Sequence, residues 1–245
     1  MQIPGWLRRE ARDLFNFLLP PACALCLKPL DPPDPDALCQ NCLDRIILRQ
    51  HPSCPRCALP YPLDSGPDHL CQTCLLEKRV SFSSVTTIGH YDGLLRDAIH
   101  RFKYRDNIHL DRPLAALLAG LLRRDNPVFD LIIPIPLHRS KLRQRTYNQS
   151  ALLARQLAKQ LKLPLELDLL ERSKTAPPQQ GLSARDRHIN IRDSFKLDHK
   201  LSGESILLID DVMTTGATAR EASKVLIKGG ASDVHLAVLA RASLR

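Results

Sequence analysis

One thirteen-residue stretch, Ile206 to Thr218, limits how the C-terminal part of this chain can fold. Its sequence is ILLIDDVMTTGAT. Four apolar residues predict a buried strand, the Asp210–Asp211 pair ends the apolar run, and small residues then form a turn. The spacing of Thr218 and Glu221 is that of a capping box, which predicts a helix that begins at this turn. A strand, a tight turn and a helix in this order are typical of an α/β sheet.

The turn has the chemistry of an anion site. Backbone N–H groups at the start of a helix lack partners within the helix, and the helix dipole adds positive charge there. Glycine in the turn allows a ligand to approach closely, and threonine hydroxyls supply further donors. Two carboxylates at the strand end are suited to sugar hydroxyls or Mg²⁺. The stretch therefore predicts a ribose-phosphate site formed by Asp210, Asp211, Thr214, Thr215, Gly216, Ala217 and Thr218.

The same stretch has two other interpretations. In an ordinary strand–turn–helix unit, the Asp and Thr residues would serve only as turn and cap residues. The acidic strand end also resembles the Mg²⁺-binding strand of P-loop NTPases. That class is excluded because the chain contains no G-x-x-x-x-G-K-[ST] motif.

All eight cysteines lie in the N-terminal third of the chain, in four C-x-x-C pairs. Each pair can form a knuckle whose two thiolates bind one metal ion, and two knuckles complete a tetrahedral Cys₄ site. Gaps of twelve, eleven and thirteen residues between successive pairs allow two compact ribbons in tandem. The pattern predicts two structural zinc ions, bound by Cys23, Cys26, Cys39, Cys42, Cys54, Cys57, Cys71 and Cys74.

Both the pairing of the knuckles and the metal have alternatives at this stage. Sequential pairing, first with second and third with fourth, is favoured over a cross-braced arrangement in which the first knuckle joins the third. An iron–sulfur cluster is another use of four cysteines. Thioredoxin-like redox chemistry needs one C-x-x-C in a βαβ context and does not account for four pairs.

The net charge of +9 arises entirely after residue 80. Residues 1–80 carry nine basic and nine acidic side chains, whereas residues 81–245 carry 26 and 17. Positions 138–200 alone hold fourteen basic and six acidic residues. Such a field attracts polyanions, either a pyrophosphate-bearing nucleotide or a nucleic-acid backbone, and charge alone does not choose between them.

The N-terminus and the apolar runs favour a cytoplasmic protein. No apolar run approaches the length of a transmembrane segment, and charged residues interrupt the N-terminus where a signal peptide needs its apolar region. Residues 1–20 instead have helical apolar spacing, which predicts an amphipathic helix packed on the protein itself, with docking to a membrane surface or a partner as the alternative. A reducing compartment also argues against structural disulfides.

After the cysteine module at residues 21–78, strand and helix patterns alternate over residues 80–245. Strands are predicted at 84–89, 130–134, 165–170, 205–210 and 234–239. Helices are predicted at 93–103, 113–124, 146–161 and 218–228, the third beginning with a capping box at Thr146. This alternation predicts an α/β fold, a mostly parallel sheet with helices on both faces that binds ligands at the carboxyl ends of its strands.

Two further segments are expected near this edge of the sheet. The first is a basic loop after the strand at 130–134, whose alternating cations would share one face in an extended chain: Arg139, Lys141, Arg143 and Arg145. The second, residues 172–187, has loop composition and is predicted to close over the site as a lid. Arg172 and Lys174 there would neutralise charge that develops on a leaving group. Ordinary solvated surface is the alternative for both segments.

Together these motifs resemble the ComF family, most closely its GntX-type proteins, in which a double zinc ribbon precedes a type I phosphoribosyltransferase-like domain. The resemblance covers nearly the whole chain. It includes ILLIDDVMTTGAT and the Tyr-Asp-Gly-x-Leu-Arg segment that runs from Tyr91 to Tyr104. It also includes Pro-x-Pro-Leu-His at 134–138, Arg-x-Tyr-Asn-Gln at 145–149, and the Gln-x-x-Leu-Ser motif that begins at Gln179.

The resemblance implies binding of phosphoribosyl pyrophosphate (PRPP) with Mg²⁺. It implies that the acidic pair contacts the ribose hydroxyls, that the TTGAT turn holds the 5′-phosphate, and that the main chain at Leu137 and His138 binds pyrophosphate. Transfer would displace pyrophosphate from C1 of PRPP through an oxocarbenium-like state. The family's association with natural competence implies a role in the use of external DNA, with DNA-uptake machinery as a partner.

Two functions therefore compete. The first is a Mg²⁺-dependent phosphoribosyltransferase with an unidentified acceptor. The second is a DNA-uptake factor that binds single-stranded DNA through the basic loop, with a regulatory or vestigial PRPP site. A purely structural zinc-ribbon adaptor would leave the match of ILLIDDVMTTGAT unexplained.

Overall fold

The structure is a computed structural model that describes most of the cysteine module and of the α/β part. The residues described are 10, 20–30, 34, 38–46, 52–62, 66–77, 81–104, 107–125, 128–137, 142–143, 147–172 and 193–243. The predicted N-terminal helix and the lid after Arg172 lie almost entirely outside these residues. So do six residues singled out from the sequence: His138, Arg139, Lys141, Arg145, Thr146 and Lys174.

Short helices occur in the cysteine module, and strands alternate with longer helices after it. The helices are α1 (Gln40–Arg45), α2 (Gln72–Leu76), α3 (Gly93–Tyr104), α4 (Asp111–Asp125), α5 (Gln149–Leu161) and α6 (Ala217–Lys228). The strands are β1 (Val85–His90), β2 (Leu131–Pro134), β3 (Leu170–Arg172), β4 (Phe195–Leu197), β5 (Ser205–Met213) and β6 (Asp233–Arg241). Among the described helices, none is both long and apolar enough to cross a membrane.

Four of the strands form a parallel sheet in the order β1-β6-β5-β2. This confirms the predicted sheet. The strands β3 and β4 pair antiparallel in a separate two-stranded sheet. The sequence does not predict β4, because a strand of three residues is too short to have a recognisable alternation of apolar and polar residues.

Side chains of β5 alternate between two hydrophobic cores. Leu207 and Ile209 lie in the core that contains α3, α4 and α5, whereas Ile206 and Leu208 lie in the core that contains α6. All four side chains are fully buried. A parallel strand covered on both faces has this pattern, so the structure confirms helices on both faces of the sheet.

The two halves of the cysteine module pack into opposite cores. Cys23 and Cys42 belong to the core of α3, α4 and α5, and Cys54 and Cys57 belong to the core of α6. The module therefore shares its apolar interior with the α/β sheet.

Two predicted strands differ from the structure because pairing partners decide where a strand ends. β5 continues through the acidic pair to Met213, since β6 pairs with it as far as Arg241. The strand predicted at 165–170 is reduced to a single parallel bridge between Ile132 and Leu165, and the chain then enters β3.

Both predicted capping boxes are wrong. α5 begins at Gln149, because the side chain of Asn148 accepts a hydrogen bond from the Ser150 N–H and so caps the helix. α6 begins one residue before Thr218, with Gly216 as a cap that makes no side-chain hydrogen bond. The side chain of Glu221 accepts instead from the Asp193 N–H.

Candidate functional site

The cysteine sulfur atoms form two groups of four. Within each group, all four lie within 4.8 Å of one another; the first group is Cys23, Cys26, Cys39 and Cys42, and the second is Cys54, Cys57, Cys71 and Cys74. Sulfur–sulfur separations of 3.5 Å (Cys26–Cys39) and 3.6 Å (Cys57–Cys71) exceed the disulfide length of about 2.05 Å. They approach the edge of about 3.8 Å expected for a tetrahedron with Zn–S bonds of about 2.3 Å. The sequential pairing of knuckles is confirmed.

The two groups use the same backbone turn. In the first group the Leu27 N–H donates to the Cys23 carbonyl, and in the second group the Ala58 N–H donates to the Cys54 carbonyl. Leu27 and Ala58 both adopt left-handed backbone, with φ of 62° and 52°. The third cysteine of each group caps a short helix, α1 or α2, which carries the fourth. The module is therefore a structural repeat with one Cys₄ group per unit.

The first cysteine of each group favours the thiolate that binds metal. Burial raises the pKa of these thiols, but backbone N–H groups of the knuckle act in the opposite direction and lower it to about 6 for Cys23 and about 7 for Cys54. Four cysteine ligands complete a tetrahedral zinc site and leave no open position for substrate. The two Cys₄ groups thus fit two structural zinc ions.

The acidic pair lies at the end of β5 between groups from two helices. Lys103, at the end of α3, places its Nζ 2.9 Å from Asp211 Oδ2, and these side chains are only 13% and 14% exposed. Ser150 of α5 donates to Asp210 Oδ1 at 3.1 Å, and the Asp211 N–H donates to the same oxygen at 2.9 Å. Burial, and then the charge of Asp211, raise the pKa of Asp210 to about 7.

Sequence motifs alone do not identify Lys103 as part of the site. It belongs to the Tyr91–Tyr104 segment of the family resemblance, and that membership is the only sequence signal for it. Its approach to Asp211 depends on the packing of α3 beside β5, which joins positions far apart in the chain.

The Tyr-Asn-Gln motif at 147–149 holds these elements together. Its tyrosine hydroxyl donates to the Phe102 carbonyl at 2.6 Å, and its glutamine Nε2 donates to the Lys103 carbonyl at 3.5 Å. Its asparagine Nδ2 donates to the Ile135 carbonyl at 3.1 Å, in the segment after β2. The motif therefore fixes the C-terminal end of α3 and the start of the basic loop relative to α5.

Two buried arginines donate hydrogen bonds to three successive carbonyl groups, those of Met213 and of the first two residues of the TTG turn. Arg241 Nη1 donates to the carbonyls of Met213, at 3.1 Å, and Thr214, and Arg220 Nη1 donates to that of Thr215 at 2.9 Å. In a planar trans peptide, the N–H of the next residue points away from the C=O. The three following N–H groups are therefore directed away from the arginines, as an anion cradle requires.

The turn also explains why position 216 is glycine. Gly216 has a φ of +77°, and an added Cβ would lie 2.8 Å from Arg220 Nη1. The Thr215 hydroxyl accepts a hydrogen bond from the Ala217 N–H at 3.3 Å, while Thr214 is exposed. The Thr215 hydroxyl thus holds the first amide of α6 within the turn.

Arg172 lies in β3, at the boundary of the predicted lid rather than within it. Its guanidinium carbon is 5.5 Å from the centre of the Phe195 ring in β4. Burial lowers the pKa of Arg172, and the charge of Asp210 opposes this shift. Arg172 is therefore close enough to Asp210 for the charge of that carboxylate to act on its pKa.

Leu137 lies in the wall of a separate depression of about 410 Å³ beside the start of α5. Tyr147, Asn148 and Asp168 also line it, whereas residues of the TTGAT turn do not. Of the four cations predicted to bind nucleic acid, the described residues include only Arg143, which is exposed.

Comparison with known proteins identifies both parts of the chain. A double zinc ribbon model matches residues 14–75, and a phosphoribosyl transferase domain model matches residues 148–243. Competence protein F of Haemophilus influenzae is 35% identical over 215 residues, which cover 84% of this chain and 91% of that protein. The chain belongs to the ComF family.

Two further relatives also match this chain over most of their own length. DNA utilization protein YhgH of Salmonella typhi is 30% identical over 228 residues, or 91% of this chain and 98% of the relative. Competence protein ComFC of Bacillus subtilis is 26% identical over 214 residues, or 84% and 85%. In this ComF-family chain, the transferase match includes the acidic pair, the TTG turn and both buried arginines, whereas Lys103 precedes it.

Purified protein should contain two zinc ions per chain, because the two Cys₄ groups share no ligand. Cys26→Ser should remove one of them and leave the other. Elemental analysis measures both values. One zinc ion in the wild-type protein, or iron in place of zinc, would contradict the assignment.

Asp210→Asn should become more stabilising, relative to the wild type, as the pH increases. The folded-state pKa of Asp210, about 7, lies above its unfolded value of about 3.9. The stability provided by the protonated carboxyl is therefore complete below about pH 4 and is lost as the pH rises through about 7. Urea unfolding of both proteins at pH 5 and pH 8 measures the difference; an equal difference at both pH values would contradict a raised pKa.

Proposed function

We propose that this protein binds PRPP together with Mg²⁺ and acts as a phosphoribosyltransferase in the uptake or use of DNA. The observation that carries the proposal is that Arg241 and Arg220 hold the carbonyls of residues 213–215, just after the acidic pair, which directs the following amides away from the arginines. The match of residues 148–243 to a phosphoribosyl transferase domain supports it. The names of the relatives, competence protein and DNA utilization protein, support the DNA-related role.

In this proposal, each part of the site has one role. Asp210 and Asp211 accept hydrogen bonds from the ribose hydroxyls, and the turn at residues 214–218 binds the 5′-phosphate. The main chain at Leu137 and His138 binds pyrophosphate, and Arg172 and Lys174 offset the charge that develops on it. Lys103 keeps Asp211 paired before the ligand arrives.

The acidic pair also fits Mg²⁺, because carboxylate oxygens are the hard ligands that this ion prefers. Mg²⁺ supplies positive charge that favours the departure of pyrophosphate. The raised pKa of Asp210 favours the deprotonated pair only above about pH 7 unless a cation is present. Cation binding and ionisation of Asp210 should therefore promote each other.

Binding of single-stranded DNA is the second candidate function, favoured by the fourteen basic residues between positions 138 and 200. Few aromatic side chains are available near them for base stacking. Phe102 is fully buried and the Tyr147 hydroxyl is hydrogen-bonded to the main chain, whereas Tyr104 is 58% exposed. DNA would therefore be held mainly through its phosphates, and its affinity should depend steeply on salt.

Replacing Asp210 and Asp211 together by Asn should weaken PRPP binding in the presence of Mg²⁺ by about a hundredfold or more, because charge-assisted hydrogen bonds are lost. Isothermal titration calorimetry measures the affinity, and a melting curve confirms that the variant is folded. Asp97→Asn is the matched control, since Asp97 is exposed and contacts only its neighbour Arg96 among the ion pairs of the described residues. Unchanged affinity in the folded double variant would contradict the assignment of Asp210 and Asp211 to the PRPP site.

Replacing Arg139, Lys141, Arg143 and Arg145 together by Ala should weaken binding of single-stranded DNA. It should also flatten the plot of log affinity against log salt by up to about 3, at about 0.7 for each phosphate that the protein no longer neutralises. The control removes four exposed cations outside positions 138–200: Lys28, Arg45, Lys224 and Lys228. If both quadruple variants have the wild-type slope, the basic loop does not bind DNA.

A further inference from the structure

Arg241 joins the second cysteine group to the turn proposed to bind phosphate. The side chain is only 2% exposed. Its Nε donates to the Cys57 carbonyl at 3.0 Å, and its Nη1 donates to the carbonyls of Met213 and Thr214. One guanidinium group therefore sets the distance and direction between a metal-binding loop and the turn.

Arg220 makes a second connection between the same two regions. Its Nη1 donates to the Thr215 carbonyl, and its Nε lies 3.6 Å from Glu77 Oε2. Glu77 follows α2 directly, so it is three residues from the ligand Cys74. Arg220 is fixed from another side by Phe82, whose ring centre is 5.7 Å from the guanidinium carbon.

Buried charges in this region are compensated. A zinc ion with four thiolates carries a net charge of about −2, which attracts cations in a water-poor interior. The cysteine group therefore stabilises the charged guanidinium that orients the turn.

The first cysteine group has a similar contact with a different element. Arg101 of α3 donates to the carbonyls of Ala24 and Leu25 at 3.0 and 2.8 Å. Among the hydrogen bonds of the described residues, the Arg101 side chain makes none to the turn. The two halves of the module thus differ in what they support: the first holds α3, and the second holds the turn.

We propose that Arg241 and Arg220 are positioning residues through which the second cysteine group fixes the peptide orientation of the phosphate turn. The arginines do not touch the ligand in this arrangement. They hold the carbonyls of residues 213–215, and so direct the following amides outward. This inference rests on the proposed function only for the identity of the ligand, because the orientation of the turn is measurable without one.

The test compares Arg241→Met with the matched control Arg101→Met. Each change removes a guanidinium that donates to carbonyls of one cysteine knuckle and leaves an apolar side chain of similar length. The backbone amide signal of Gly216 in a ¹H–¹⁵N NMR spectrum reports the turn, and calorimetry reports the affinity for PRPP with Mg²⁺. In Arg241→Met we expect a shifted or broadened Gly216 signal and an affinity lower by about tenfold or more. Arg101→Met should have the wild-type values.

Arg220→Met gives the same test if Arg241→Met does not fold, since it removes a single contact to the turn, that with Thr215, together with the pair with Glu77 and the contact of the guanidinium with Phe82. A wild-type protein that does not bind PRPP, with a Gly216 signal that moves only in the Arg241 and Arg220 variants, would refute the proposed function and support the positioning role. Wild-type Gly216 signals and affinity in both variants, or equal losses in Arg101→Met, would overturn the inference.

Discussion

Two carboxylates lie side by side at the end of a buried strand, and groups from two helices offset the repulsion between them. The negative charges of adjacent carboxylates repel each other, and burial removes the water that would otherwise screen them. Lys103 pairs with Asp211, and Ser150 donates to Asp210. The helices α3 and α5 are in turn held together by the motif at 147–149. A ligand that brings hydroxyl donors or a cation to this pair would relieve the repulsion, so an unfavourable arrangement in the free protein favours binding.

Local patterns were sufficient for the fold wherever one segment determines its own structure. The apolar run of β5 and the periodicity of α3 to α6 predict their elements to within a few residues. The errors occur where a distant partner decides. β5 extends to Met213 only because β6 is beside it, and the cap of α5 is Asn148 rather than a box at Thr146 because Asn148 also holds the Ile135 carbonyl.

The candidate site divides in the same way. The cysteine ligands recur in C-x-x-C pairs, and the acidic pair and turn are contiguous, so these residues are evident from the sequence, whereas the pairing of the knuckles is decided by the structure. Lys103, Arg220 and Arg241 are not, because each reaches its partner through packing of elements that the sequence separates. An isolated arginine near the end of a strand has no pattern that distinguishes a buried carbonyl donor from a solvated cation.

The contact between Arg241 and Cys57 spans 184 positions of the chain. During synthesis, the knuckle that contains Cys57 emerges long before β6, so at first it lacks the arginine that finally contacts it. Contacts of this separation are slow to form, because a long loop must close first. The contact between β6 and the cysteine module is therefore expected to form late in folding. Of the two arginine connections between the second cysteine group and the turn, a chain truncated before β6 would retain only the one through Arg220.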